Sequence, residues 1–267
     1  MTWRVGISSG VCTERSILSI LPAIRDGGAI GVEIGTPPRH FDPVQPDQIL
    51  TLRQALHELN LNAVSIHAPF GGSLDLAHHH ADHRRAAVRA IHHAAAALKQ
   101  LGGRLVVVHP SDLERHGQEV SERLAATAAG LKELATSCQQ EGMVLVVESP
   151  LPHLIGGHPD EFRWLLDRLD GSVRVCLDTG HTFLGRSWHQ FLNVADGRLA
   201  HVHANDNHGD RDDHLTPGEG RIDWAEIGRT LRAVEFTGWM MLELRCPPGD
   251  TSAFFRHALE RTAEVTR

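Results

Sequence analysis

Eight short runs of continuously apolar, β-branched residues alternate with helical stretches from one end of the chain to the other. They lie at 4–7, 31–34, 63–67, 105–109, 144–148, 173–178, 199–203 and 240–243. Their unbroken apolar character fits strands covered on both faces, as in a parallel sheet. Eight strand–helix units in 267 residues leave about 33 residues per unit, the length of a βα repeat. No unit is long enough to hold an inserted domain, and no Pro-, Gly- or Ser-rich linker divides the chain. Residues 1–267 therefore read as one α/β domain, a closed (β/α)8 barrel. A doubly wound open sheet would carry a phosphate loop after its first strand. Gly6-Ile7-Ser8-Ser9-Gly10 does not match that GxGxxG pattern.

The helices carry start signals. Asp223 with Glu226, and Ser187 with Gln190, have capping-box spacing, and Asp47 is placed to cap a helix bearing Leu50, Leu52, Leu56 and Leu59. The segment 17–24 is short, contains Pro22 and reads as an amphipathic helix rather than a leader peptide. No stretch approaches a membrane span, so no membrane partner is expected. The formal charge of −7, with Lys99 and Lys132 as the only lysines, argues against a nucleic-acid surface. Cys12, Cys138, Cys176 and Cys246 stand far apart with no CxxC spacing. They read as reduced thiols, which suits a cytoplasmic protein. Whether the chain forms a homo-oligomer is open at this level.

Ligand-type side chains track the strand ends. The runs AVSIH, RLVVVH, MVLVVE, VRVCLD, LAHVH and WMMLE end on His67, His109, Glu148, Asp178, His203 and Glu243. His181 follows Asp178 at i,i+3 in LDTGH, across what reads as a tight turn at Gly180. The polar loop 204–220 carries Asp212 and His214 back toward the same rim. In a parallel barrel all strand C-termini point to one face, so residues from different strands converge there. Burying Glu148, Asp178 and Glu243 without a cation would cost on the order of several kcal/mol each. A divalent metal is therefore expected. Glu148, Asp178, His203 and Glu243 form a core set hard enough for Mn, Mg or Co. His67, His109, His181, Asp212 and His214 are possible further metal or substrate ligands, and would favour Zn in a multinuclear site. His78, His79, His80, His83, His92 and His93 read as solvated or structural.

The segments VSIHAP (64–69), VVVHP (106–110), VVES (146–149), LDTGH (177–181), HVHANDN (201–207), DDHLTPGEGRIDW (212–224) and LELR (242–245) resemble the xylose isomerase-like TIM-barrel superfamily, over nearly the whole chain. That superfamily holds sugar-phosphate isomerases and epimerases beside endonuclease IV. In the ketose epimerases, residues matching Glu148, Asp178, His203 and Glu243 hold one divalent ion, and the two glutamates double as acid/base groups. In endonuclease IV, nine positions like those named above hold three zinc ions that cleave abasic DNA. This chain keeps a candidate at each of the nine.

PGEG followed by IDW is typical of the small isomerase/epimerase members. The nuclease-like pattern would also place an arginine between Asp212 and His214, where this chain has Asp213. The resemblance thus implies a metal-dependent isomerase or epimerase of a small sugar or sugar-like hydroxy-carbonyl compound, working by proton transfer through a cis-enediolate. Glu148 and Glu243 would be catalytic, with a carbohydrate as the small-molecule partner. Glu33, Phe70 and Arg245 would contact substrate, although Glu33 reads equally well as a buried hydrogen-bonding carboxylate. Trp224 reads as packing beneath the loop. Dehydration of an inosose-type ketone and C-glycoside cleavage begin with the same proton removal. Two alternatives remain beside these: an endonuclease IV-type zinc phosphodiesterase, and a barrel that binds metal or sugar without catalysis.

Overall fold

A computed structural model of the chain describes residues 3–246 and 251–267. Eight parallel strands close into a barrel in chain order, with β8 returning to β1. The strands are β1 (Arg4–Ser8), β2 (Gly31–Ile34), β3 (Asn62–His67), β4 (Leu105–Val108), β5 (Val144–Glu148), β6 (Arg174–Asp178), β7 (Leu199–Ala204) and β8 (Trp239–Leu242). An outer layer of helices follows them: α1 (Ile17–Asp26), α2 (Pro46–Glu58), α3 (Ala81–Gln100), α4 (Val120–Gln140), α5 (Pro159–Leu166), α6 (Thr179–Leu184), α7 (Trp188–Val194), α8 (Trp224–Ala233) and α9 (Thr251–Val265).

The two-residue period of the strands divides their side chains between two cores. Val106, Val108, Leu145, Val147, Val175 and Leu177 join the large cluster between sheet and helices. Their alternates Val107, Val146 and Cys176 form a separate cluster inside the barrel. The strand-end ligands continue this inward-facing series, so the side chains two residues upstream of them form a layer below: Ser65, Val107, Val146, Cys176, His201 and Met241. Gly6 makes room for that filling, because a Cβ there would lie 2.6 Å from Met241 Sδ.

Several local expectations fail, among them the Ser187 cap, which makes no side-chain bond to α7. Asp47 does not cap α2: Pro46 occupies the first turn and Gln45 precedes it, leaving Asp47 inside the helix. Proline is favoured at that position because it lacks the amide hydrogen that would otherwise need a partner. The four cysteines are not all thiols, since Cys12 and Cys246 form a disulfide, with Cα atoms 5.5 Å apart. Barrel closure pairs β1 with β8 and so brings the loops after them together, across 234 residues of sequence. Cys138 and Cys176 remain free and buried. Among the described residues, no helix is long and apolar enough to cross a membrane.

Candidate metal centre

β5 ends on Glu148, which has no exposed surface and is the hub of the rim. His67 Nε2 from β3 and His109 Nε2 from the end of β4 each lie 3.2 Å from Glu148 Oε2. His203 Nδ1 from β7 lies 3.1 Å from Glu148 Oε1 and 3.1 Å from Glu243 Oε2, beyond the end of β8. Neither His203 Nδ1 nor Glu148 Oε1 has a partner in hydrogen-bond geometry. One atom from each of Glu148, Asp178, His203 and Glu243 falls within 4.8 Å of the others, and His67, Glu148 and His203 make a second such group. His67 Nε2 does bond Glu148 Oε2, but His203 Nδ1 and Glu148 Oε1 crowd together without bonding, as atoms arranged about a common cation would.

Asp178 ends β6 and caps α6: its Oδ1 accepts from His181 N at 2.7 Å, and its Oδ2 accepts from Asn205 Nδ2 at 2.7 Å. The expected tight turn at Gly180 is thus the first turn of a short helix. Its glycine is required for space, because a Cβ there would lie 2.0 Å from Asn205 Oδ1. His181 faces Ser149 O at 2.9 Å through Nδ1 and Asp212 Oδ2 at 3.3 Å through Nε2. His214 Nε2 lies 2.9 Å from the same Asp212 oxygen, and its Nδ1 faces Glu243 O at 2.8 Å. The nine residues therefore form two adjoining groups, one around Glu148 and one around Asp212.

The second group depends on its loop. Asp206 and Leu215 exchange backbone hydrogen bonds at 2.8 Å across the loop base. The Asp206 carboxylate accepts from Gly218 N, Ile222 N and Trp224 Nε1, which accounts for Trp224 lying buried beneath the loop. His214 holds a positive φ of 51°, a costly conformation for a side chain other than glycine.

Electrostatics follow from burial and proximity. Burial pulls the His67 imidazole down, but Glu148, Glu243 and Glu33 more than reverse this and hold it at about 9. His181 stands at about 10 because Asp178, Asp212 and Glu148 outweigh its burial. His214 reaches about 10 by the same opposition, with Asp212, Glu243 and Asp178 outweighing burial. Asp178 is pushed up to about 6 by burial, against the opposing pull of His181, with the nearby carboxylates adding to the rise. In the absence of an ion, the rim keeps its carboxylates company with protons on the imidazoles of His67, His181 and His214.

Phe70 is 46% exposed, and its ring centroid lies 4.0 Å from that of His109 and 5.0 Å from that of His67. It lines an apolar cleft of about 440 Å³ beside the rim, with Pro37, Pro38, Leu74, Ser8 and Glu243. Arg245 is exposed and lines a second cleft of about 270 Å³ with Asp212, His214 and Glu243. Glu33 reaches neither cleft. It has no exposed surface and is the buried hydrogen-bonding carboxylate of its two readings. Sequence reasoning passed over four buried polar residues: Asn205, which bonds Asp178, Asp206, which anchors the loop after β7, and Ser65 and His201, which bond Glu33. For His201 a signal existed: it lies two residues before His203 and so on the same face of β7.

The barrel has close relatives in shape. A D-tagatose 3-epimerase-like protein superposes with a TM-score of 0.86 at 24% identity, covering 98% of each chain. Uncharacterized protein MJ1311 of Methanocaldococcus jannaschii is 27% identical over 249 residues, 90% of this chain and 83% of that one. D-psicose 3-epimerase of Enterocloster bolteae is 28% identical over 147 residues, 54% of this chain and 47% of its own length. Residues 21–265 match the family described as xylose isomerase-like TIM barrel, and the chain belongs to that family.

Proposed function

We propose that this protein is an enzyme of the sugar isomerase/epimerase kind, dependent on a divalent metal and acting on a small sugar or sugar-like hydroxy-carbonyl compound. One observation carries the reading. Glu148 and Glu243 approach His203 Nδ1 at 3.1 Å each from separate strands, and Glu243 opens onto both rim clefts. The names of the tagatose and psicose epimerases that resemble this chain agree with it.

Glu148, Asp178, His203 and Glu243 would hold the ion. When bound, it supplies Lewis acidity that makes a proton beside a carbonyl easier to remove. Glu243, the more open of the two glutamates, accepts that proton and leaves a cis-enediolate. A protonated Glu148 gives its proton to the opposite face of the same carbon, which inverts it, whereas delivery by Glu243 of its proton to the neighbouring carbon of the enediolate gives isomerisation. His214 and Arg245 line the second cleft and bind substrate oxygens, with His181 behind them against Asp212. The Phe70 ring packs on the apolar face of the sugar.

The expected outcome is that Glu148→Gln and Glu243→Gln each remove turnover, while the wild type incorporates solvent tritium into recovered sugar. A broad panel of ketoses showing neither exchange nor isomer formation would overturn the reading. The Asp212 group favours a second one, because Asp212, His181 and His214 beside the Glu148 group offer donors for more than one ion. This is the arrangement a zinc phosphodiesterase of the endonuclease IV type would need. Zinc near three per chain, with EDTA-sensitive cutting of an oligonucleotide at an abasic site, would favour it over the epimerase.

A further inference from the structure

TIM-barrel interiors are filled mainly by branched apolar side chains. In the layer below this rim Val107, Val146, Cys176 and Met241 are apolar. Ser65 and His201 are not, nor is Glu33, which lies beside Ser65 in register, and all three are fully buried. Glu33 Oε2 accepts from Ser65 Oγ at 2.8 Å and faces His201 Nε2 at 3.1 Å and His203 Nε2 at 3.3 Å. His203 Nε2 also lies 3.1 Å from Oε1, which has no partner in hydrogen-bond geometry.

A carboxylate only accepts, so each imidazole nitrogen that bonds to it carries the hydrogen. With the Nε2 hydrogen of His203 committed to Glu33, its Nδ1 presents a lone pair to the point shared with Glu148 and Glu243. A histidine held from behind by a carboxylate in this way has its tautomer and ring angle fixed for metal binding. Burying a carboxylate is costly unless it does such work or is fully bonded.

We infer that Glu33 is a positioning residue for the metal centre: from the barrel floor it fixes His203 as an Nδ1 ligand, while Ser65 and His201 anchor its own carboxylate. The inference rests on the reading that the rim holds a divalent ion. It places Glu33 outside the reach of substrate and gives the polar part of the floor a reason to exist. Glutamine is the sharpest substitution. Its amide nitrogen would lie either against the Nε2 hydrogen of His203 or in the place where three donors converge. The first arrangement drives the proton of His203 to Nδ1, and the second breaks the anchor.

The test is Mn²⁺ affinity, followed by the electron paramagnetic resonance signal of the free ion, for wild type and Glu33→Gln. Folding is checked by circular dichroism and by the thermal midpoint in EDTA. Outer carboxylates of this kind are worth roughly 10–100-fold in affinity, and a loss of that size is the expected result. A purely structural role would lower the midpoint in EDTA and leave Mn²⁺ affinity of the folded protein at the wild-type value, which would overturn the inference. If Glu33→Gln does not fold, Ser65→Ala decides: binding weakened by about threefold or more supports the inference, and unchanged binding overturns it. Wild type that binds no divalent ion overturns the metal reading itself, and this inference with it. Wild type that binds while both variants bind equally well overturns the Glu33 assignment alone.

Discussion

At the scale of single residues, the rim is a contest between carboxylates that burial disfavours and imidazoles that shield them. His67, His181 and His214 stand at about 9, 10 and 10 in the ion-free protein, where burial is outweighed by Glu148, Asp178 and Asp212. All three lie above the ordinary histidine value of about 6.5, so the stabilisation they supply is complete below that pH and is lost as pH rises through 9 to 10. The thermal midpoint in EDTA is therefore expected to fall between pH 6.5 and 10. Over the same window divalent-ion affinity is expected to rise, because an entering cation must displace those protons. Titration of Mn²⁺ at several pH values checks this, and affinity that weakens with rising pH would contradict it. His67, His109, Glu148, Asp178, His203 and Glu243, which meet at the rim, were legible in the sequence because each is the polar end of an apolar run. Their supports were not. Asn205 and Ser65 look like ordinary polar residues until the barrel shows what they touch, and Glu33 could be read two ways until its burial was known.

Among the elements, the strands announced themselves and the caps did so unevenly. Continuous apolar runs marked all eight strands, and β2 and β5 begin and end where the sequence places them. Asp223 caps α8 as its spacing with Glu226 suggests, its carboxylate accepting from Glu226 N at 2.9 Å. Ser187 precedes α7 without a side-chain cap bond, because a capping pattern states what a residue can do and tertiary contacts decide whether it does. The loop after β7 was legible as a returning segment, whereas its anchor was not. Asp206 draws together Asn207, Gly218, Ile222 and Trp224, so Asp206→Ala leaves four buried or half-buried donors without that acceptor. We expect a loss of about 3 kcal/mol in denaturant unfolding. Limited proteolysis should then cut within 205–220 while the barrel survives. Cleavage no faster than in the wild type would show that the loop has other supports.

For the molecule as a whole, closure was predictable from the repeat length, but one of its consequences was not. Nothing in the spacing of Cys12 and Cys246 suggests that they meet, since only a sheet whose last strand rejoins its first brings them within bonding range. A cross-link between such distant positions removes freedom from the unfolded chain, and bonds of this kind typically contribute about 2–4 kcal/mol. Cys12→Ser is expected to lose that amount in non-reducing denaturant titrations, and dithiothreitol should bring the wild type to the same midpoint. Identical curves with and without reductant would show the two sulfurs to be unlinked in solution. The position of the bond matters as much as its size. It staples the seam between the opening and closing staves of the cylinder, just beyond Glu243. Thermal opening must then begin at some other wall, and the β1–β8 amides should be among the slowest to trade hydrogen for deuterium.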